Sequence, residues 1–152
     1  MILIKENFED GIMNSFLDKI GTDEIVKKPS NSIDSWCLMI PNKVNDDPHK
    51  LVRTQPLKFK KGHKYTFSLF AKGDYQAQLH MLFIDKSNIL NPILAQTKYM
   101  RLEGFYPKLP YVITFTAEKD YPDVMANFSI WNMHRNTPPS YIDNIEVSVE
   151  EV

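Results

Sequence analysis

Gly62-His63-Lys64-Tyr65-Thr66-Phe67-Ser68-Leu69-Phe70-Ala71-Lys72-Gly73 is the stretch whose reading decides the fold. Tyr65, Phe67, Leu69 and Ala71 alternate with Thr66, Ser68 and Phe70, so a period of two separates an apolar face from a mixed one. Glycines bracket the run, which makes it a strand entered and left by turns. It reads as a central strand of an antiparallel sheet.

Downstream, Ala77 to Ile84 repeats the alternation, with Leu79, Met81 and Phe83 on one side and Gln78, His80 and Leu82 on the other, before Asp85-Lys86-Ser87-Asn88 turns the chain. Lys98 to Leu102 reads as a short strand. In Tyr111 to Ala117, Tyr111, Ile113 and Phe115 alternate with Val112, Thr114 and Thr116. In Ala126 to Met133, Phe128 and Ile130 are expected to face the core, and Asn127, Ser129 and Trp131 to face away from it. Tyr141 to Val149 closes the chain with Ile145, Val147 and Val149 inward. Upstream, Leu51 to Phe59 carries two strand signals split at Pro56, which has no N–H for a ladder. Ser35 to Ile40 is an apolar strand stopped by Pro41, and Ile2 to Ile4 is a first short one. Between them, Ile12 to Ser32 reads as a long connection with a helical turn near Ser15 to Ile20. Eight to ten short strands spaced in this way predict an all-β fold, an antiparallel β-sandwich.

The chain has 152 residues, 43% of them hydrophobic, enough for one core, so a single domain over 1–152 is expected. A net charge of -1 gives no electrostatic argument for nucleic acid or an anionic membrane, and neither is expected as a partner. Cys37 is the only cysteine; within an apolar strand it reads as a buried structural thiol. Lys5 and Glu6 cut the first apolar run far short of a signal-peptide core, and no apolar stretch nears the ~20 residues that span a bilayer. A soluble protein is therefore expected.

Enzyme signatures are missing from the sequence. There is no glycine-rich phosphate loop and no Gly-x-Ser-x-Gly elbow, and His49, His63, His80 and His134 lack paired ligand spacing. A glycosidase needs two carboxyl groups a set distance apart, and only Glu103, Asp120 and Asp123, all in loop-like stretches, offer them. A non-enzyme is expected.

The mixed strand faces are more informative. Sugar recognition needs flat apolar surface to stack on ring C–H groups, with amides, hydroxyls or imidazoles to bond the sugar hydroxyls. Ser68, Phe70, Gln78, His80, Asn127, Ser129 and Trp131 supply both kinds, with Trp36 as a further aromatic. Trp131 is the sharpest of them, a large aromatic among polar neighbours.

Three pieces of the chain, in this order, resemble a known family: Asn7-Phe8-Glu9-Asp10-Gly11, the stretch from Gly62 to Gly73, and Tyr141-Ile142-Asp143-Asn144-Ile145-Glu146-Val147. The set resembles the jelly-roll carbohydrate-binding modules of the galactose-binding-like fold, in the group with xylan-, glucan- and mannan-binding members. The resemblance implies two facing antiparallel sheets with adjacent first and last strands, and a non-catalytic role in holding carbohydrate. It also implies a structural calcium, for which Glu9 and Asp143 match the family positions. A competing expectation is a structural protein of a phage particle, a capsid decoration or tail component, using the same jelly roll to contact other virion or assembly proteins or a host glycan.

Overall fold

The computed structural model describes residues 1–8, 24–27, 36–40, 49–73, 77–132 and 138–151, and among them every regular element is a strand. In chain order these are β1 (Ile2–Glu6), β2 (Glu24–Lys27), β3 (Trp36–Ile40), β4 (His49–Arg53), β5 (Leu57–Phe59) and β6 (Lys64–Lys72). There follow β7 (Ala77–Asp85), β8 (Ile93–Gln96), β9 (Met100–Arg101), β10 (Tyr111–Thr116), β11 (Tyr121–Asn132) and β12 (Ser140–Glu150).

They form two six-stranded antiparallel sheets. The first runs β10-β6-β12-β3-β2, with β1 also on β12; the second runs β4-β11-β7-β8, with β5 on β11 and β9 on β7. The quoted stretch is β6, held between β10 and β12, so it is central as its pattern predicts. The first and last strands are neighbours, Lys5 lying opposite Glu146. This is the antiparallel jelly-roll sandwich that the sequence predicts.

Alternation became burial. Tyr65, Phe67, Leu69 and Ala71 of β6 face Leu79, Met81 and Phe83 of β7 and Phe128 and Ile130 of β11 across one core shared by both sheets. Ile145, Val147 and Val149 of β12 complete it from the first sheet. Aromatic rings fasten one end, where Phe59 stacks on Tyr65 at 3.6 Å between centroids and meets Phe83 edge-on at 5.3 Å. The two bracketing glycines act differently. Gly62 has φ +87, a left-handed turn conformation, whereas a Cβ on Gly73 would come within 2.7 Å of Ser140 Oγ.

Two strands were not legible. β2 lies inside the expected long connection and β8 follows Pro92; each is four residues long. They owe their form to a neighbour, β2 to β3 and β8 to β7, and so carry little pattern of their own. The helical turn expected near Ser15 to Ile20 lies outside the described residues.

Candidate functional site

Residues directly opposite each other in antiparallel strands share a face, so the register of the second sheet shows what its outer side presents. One row reads Arg53, Asn127, Leu82, Gln96 across β4, β11, β7 and β8. The next reads Ser129, His80, and the third Trp131, Gln78, Arg101, ending on β9. Five of the sequence-chosen residues, Gln78, His80, Asn127, Ser129 and Trp131, are thus brought onto one face.

They stand at different depths. Asn127 and Ser129 are 2% and 4% exposed and form the floor, while Gln78, His80 and Trp131 are half-buried. Asn127 Oδ1 is buried without a hydrogen-bond partner among the described residues. A buried acceptor left unpaired costs ~1–3 kcal/mol.

The rim comes from the connector between β8 and β9. Thr97 is stitched to the edge of β7, its N–H donating to the Met81 carbonyl at 2.9 Å and its Oγ1 accepting from Met81 N–H at 3.0 Å. That anchorage delivers Tyr99 over the face, where it stacks on His80 at 4.6 Å between centroids and meets Trp131 edge-on at 6.0 Å. His80 Nε2 lies 3.0 Å from Gln96 Oε1, which fixes the imidazole plane. Imidazole, phenol and indole therefore make one aromatic shelf, with amides beside it. Sequence reasoning missed Tyr99, Gln96, Arg53 and Arg101. Tyr99 lay in a stretch read only as a short strand, and its partner His80 is 19 residues away in sequence.

Phe70 and Trp36 do not join this face. Phe70 lies on β6 opposite Asp143, and Trp36 is on β3, half-buried against the core, so both belong to the first sheet. Alternation shows which side of its own strand a residue takes, but not which sheet that strand joins. The outer side of the first sheet is also partly covered. Tyr106, from the connector after β9, places its ring 5.0 Å from Lys72 Nζ, which also lies 5.7 Å from the Tyr141 ring. Burial first, then Cys37 and Asp143, hold the Tyr106 hydroxyl well above its ordinary value. Cys37 itself is fully buried.

Asp143 suits one half of the expected calcium pair, being an oxygen donor only 2% exposed on a strand whose register breaks between Asp143 and Glu146. Asn144 beside it has φ 48, a left-handed conformation that asparagine tolerates. Glu9, the other half, lies outside the described residues. No group of three His, Cys, Asp or Glu side chains that could hold a metal occurs among the described residues.

Glu103, Asp120 and Asp123 are the carboxylates considered for hydrolysis. Asp120 Oδ1 accepts from the Lys61 N–H at 2.9 Å, Asp123 lies in β11, and the Glu103 carbonyl accepts from Gly73 at the end of β6. No helix among the described residues is long and apolar enough to cross a membrane.

No family model and no curated protein matches this sequence. Solved structures do match in fold. An arabinose-bound α-L-arabinofuranosidase, MgGH51, superposes with a TM-score of 0.66 at 11% identity, over 96% of this chain and 26% of that one. The CBM22-1 xylan-binding domain of Paenibacillus barcinonensis Xyn10C matches over 100% of this chain and 96% of its own, at 8% identity and TM-score 0.59. The enzymatically active domain of tailspike protein 4 from bacteriophage CBA120 matches 96% of this chain but only 19% of its own, at 12% identity and TM-score 0.59. This chain therefore spans about a quarter of the arabinofuranosidase and a fifth of the tailspike domain, and nearly all of the xylan-binding domain. The likeness establishes the fold, an antiparallel jelly-roll sandwich.

Proposed function

We propose that this protein is a non-catalytic carbohydrate-binding module that holds a glycan on the outer face of the second sheet. One observation carries the reading: His80, Tyr99 and Trp131 form a continuous shelf of rings beside Gln78 and Gln96, over a floor of Asn127 and Ser129. Stacking on sugar C–H faces and hydrogen bonding to hydroxyls need such a combination of groups.

Affinity electrophoresis and a glycan array test it. Retention by at least one polysaccharide is expected, with Trp131→Ala weakening it tenfold or more while the protein stays folded. A folded protein retained by no glycan would contradict the reading. The same proposal includes a structural calcium on Glu9 and Asp143, supported by the burial of Asp143 at a break in register.

A second reading, a phage structural component, is favoured by the match to the tailspike domain. It is also favoured by the exposed tip of the β7–β8 hairpin, where Ile89 and Leu90 are 91% and 89% exposed, an arrangement suited to protein contacts. Under that reading Ile89→Ser/Leu90→Ser abolishes assembly and leaves glycan retention intact.

A further inference from the structure

β10 ends the first sheet on one side, and its register with β6 runs unbroken from Tyr111 opposite Leu69 to Thr116 opposite Lys64. Just beyond it the Ala117 N–H donates to the His63 carbonyl at 3.0 Å, which sets the phase of the ladder. Alternate residues of an antiparallel strand turn their N–H and C=O groups to the same neighbour. Tyr111, Ile113 and Phe115 therefore bond β6 as Ala117 does, and Val112, Thr114 and Thr116 turn theirs the other way. Among the described residues no strand but β6 pairs with β10, so those groups line an open edge. Their side chains are exposed too, Val112 by 51%, and Leu109 just before the strand is 78% exposed.

An open edge is a template for another strand, and proteins ordinarily blunt it with charge, proline, shortness or a bulge. Other margins of the two sheets are blunted in this way. β2 carries Glu24 and Lys27, β4 carries Lys50 and Arg53, and β8 is four residues long with a register break against β7. β10 has none of these devices. It reads Tyr-Val-Ile-Thr-Phe-Thr, β-branched and aromatic throughout, with no charge, no proline and no break in register.

We infer that β10 is a dimer interface, through which two copies of this chain pair antiparallel about a two-fold axis at Thr114 and join their first sheets into one. Charge selects a second copy as the occupant. Lys108 is exposed at the entry to β10, and Glu118 and Asp120 are exposed at its exit. Antiparallel pairing of identical strands lays each entry beside the other copy's exit, opposite charges together, whereas parallel pairing would lay like on like. Lys119, of the other sign at the exit, is turned to the Tyr121 ring, its Nζ 5.5 Å from the centroid. With the axis at Thr114, Thr114 meets its own copy and Val112 meets Thr116. Every outward N–H and C=O of these residues then finds a partner, and β-branched side chains face each other across the new pair. Both edges are consumed, so assembly stops at two. The inference is independent of the glycan reading, which concerns the second sheet.

Sedimentation equilibrium over a range of protein concentrations tests it, and a species of twice the chain's mass is expected to grow with concentration. Thr114→Pro removes an N–H that the monomer does not use, and Thr114→Glu sets like charges directly opposite each other at the axis. Each is expected to weaken the dimer about tenfold or more while the far-ultraviolet circular dichroism stays that of the unaltered protein. Amide exchange of the unaltered protein reads the same edge without any substitution. The N–H groups of Val112, Thr114 and Thr116 should gain protection as concentration rises, while those of Ile113 and Phe115 are protected throughout. A protein that remains monomeric up to about 1 mM would overturn the inference. So would a dimer as tight in Thr114→Glu as in the unaltered protein, or one whose formation leaves exchange at Val112, Thr114 and Thr116 unchanged, because the contact would then lie elsewhere. Should Thr114→Pro fail to fold, Thr114→Glu and the exchange measurement decide.

Discussion

The outer faces of the two sheets are built from the same period-two alternation, yet they end in different states. On the second sheet the face carries Asn127 and Ser129 as a floor, with aromatic rings and amides standing along one side. On the first sheet Lys72 Nζ lies over the Tyr106 ring, whose hydroxyl has Cys37 and Asp143 as neighbours, so that these groups are occupied by one another. The strands alone do not make this difference. It comes from the connectors: the segment around Thr97 presents an aromatic ring beside the second face, and the segment around Tyr106 lays one over the first.

The comparison is broken most severely through the core that both sheets share. Phe67 is fully buried, and Phe67→Ala is expected to cost ~3–5 kcal/mol in urea unfolding, whereas Trp131→Ala should cost about 1 kcal/mol or less. Equal costs would make Trp131 a structural residue and remove the reason for assigning it a ligand.

A smaller effect is expected on the first sheet if calcium binds there. A free concentration a hundred times the dissociation constant stabilises the native state by ~2.7 kcal/mol. The melting temperature should fall in chelator, recover with calcium, and lose this response in Asp143→Asn. A melt indifferent to chelator removes the calcium proposal and leaves the glycan face untouched.

Smaller again is an alkaline effect, also biased toward the first sheet. Burial, followed by Cys37 and Asp143, raises the Tyr106 hydroxyl; burial and then Glu103 raise that of Tyr111; burial, Glu118 and Asp85 raise that of Tyr121. A hydroxyl raised in the folded state keeps its proton after the unfolded chain has released it. The associated stability is present in full below pH ~10 and is lost as pH climbs beyond that value. Urea midpoints measured from pH 8 to 11 should fall at the alkaline end, and Tyr106→Phe should flatten the fall. An unchanged slope in that variant would mean that Tyr106 is not part of the cover over the first sheet.

Much of the architecture was legible because burial on one side of a strand writes itself as alternation. β6, β7, β10, β11 and β12 all declare themselves in this way, and the inward residues read from them are the ones in the core. β2 and β8 do not, because a four-residue strand at a sheet margin is shaped by its partner. The site was legible in part for the same reason. Gln78, His80, Asn127, Ser129 and Trp131 are outward residues of two strong strands that pair directly. Phe70 meets the same local criterion but sits on the other sheet, and strand order is a long-range property that no local period carries; Trp36 shares the core-facing side of β3 with Leu38 and Ile40. Tyr99, Gln96 and Arg101 come from short strands and a connector at the sheet margin, where composition gives no warning.

The central claim is that ligand meets the second sheet and not the first, and the chain's two tryptophans report on one sheet each. Tryptophan emission should be recorded during titration with oligosaccharides of xylan, β-glucan, galactan and polygalacturonate, using Trp36→Phe and Trp131→Phe. The account predicts that at least one of them shifts the emission of Trp36→Phe, in which Trp131 alone reports, and leaves that of Trp131→Phe unchanged. A response confined to Trp131→Phe, or none in either variant, would contradict it.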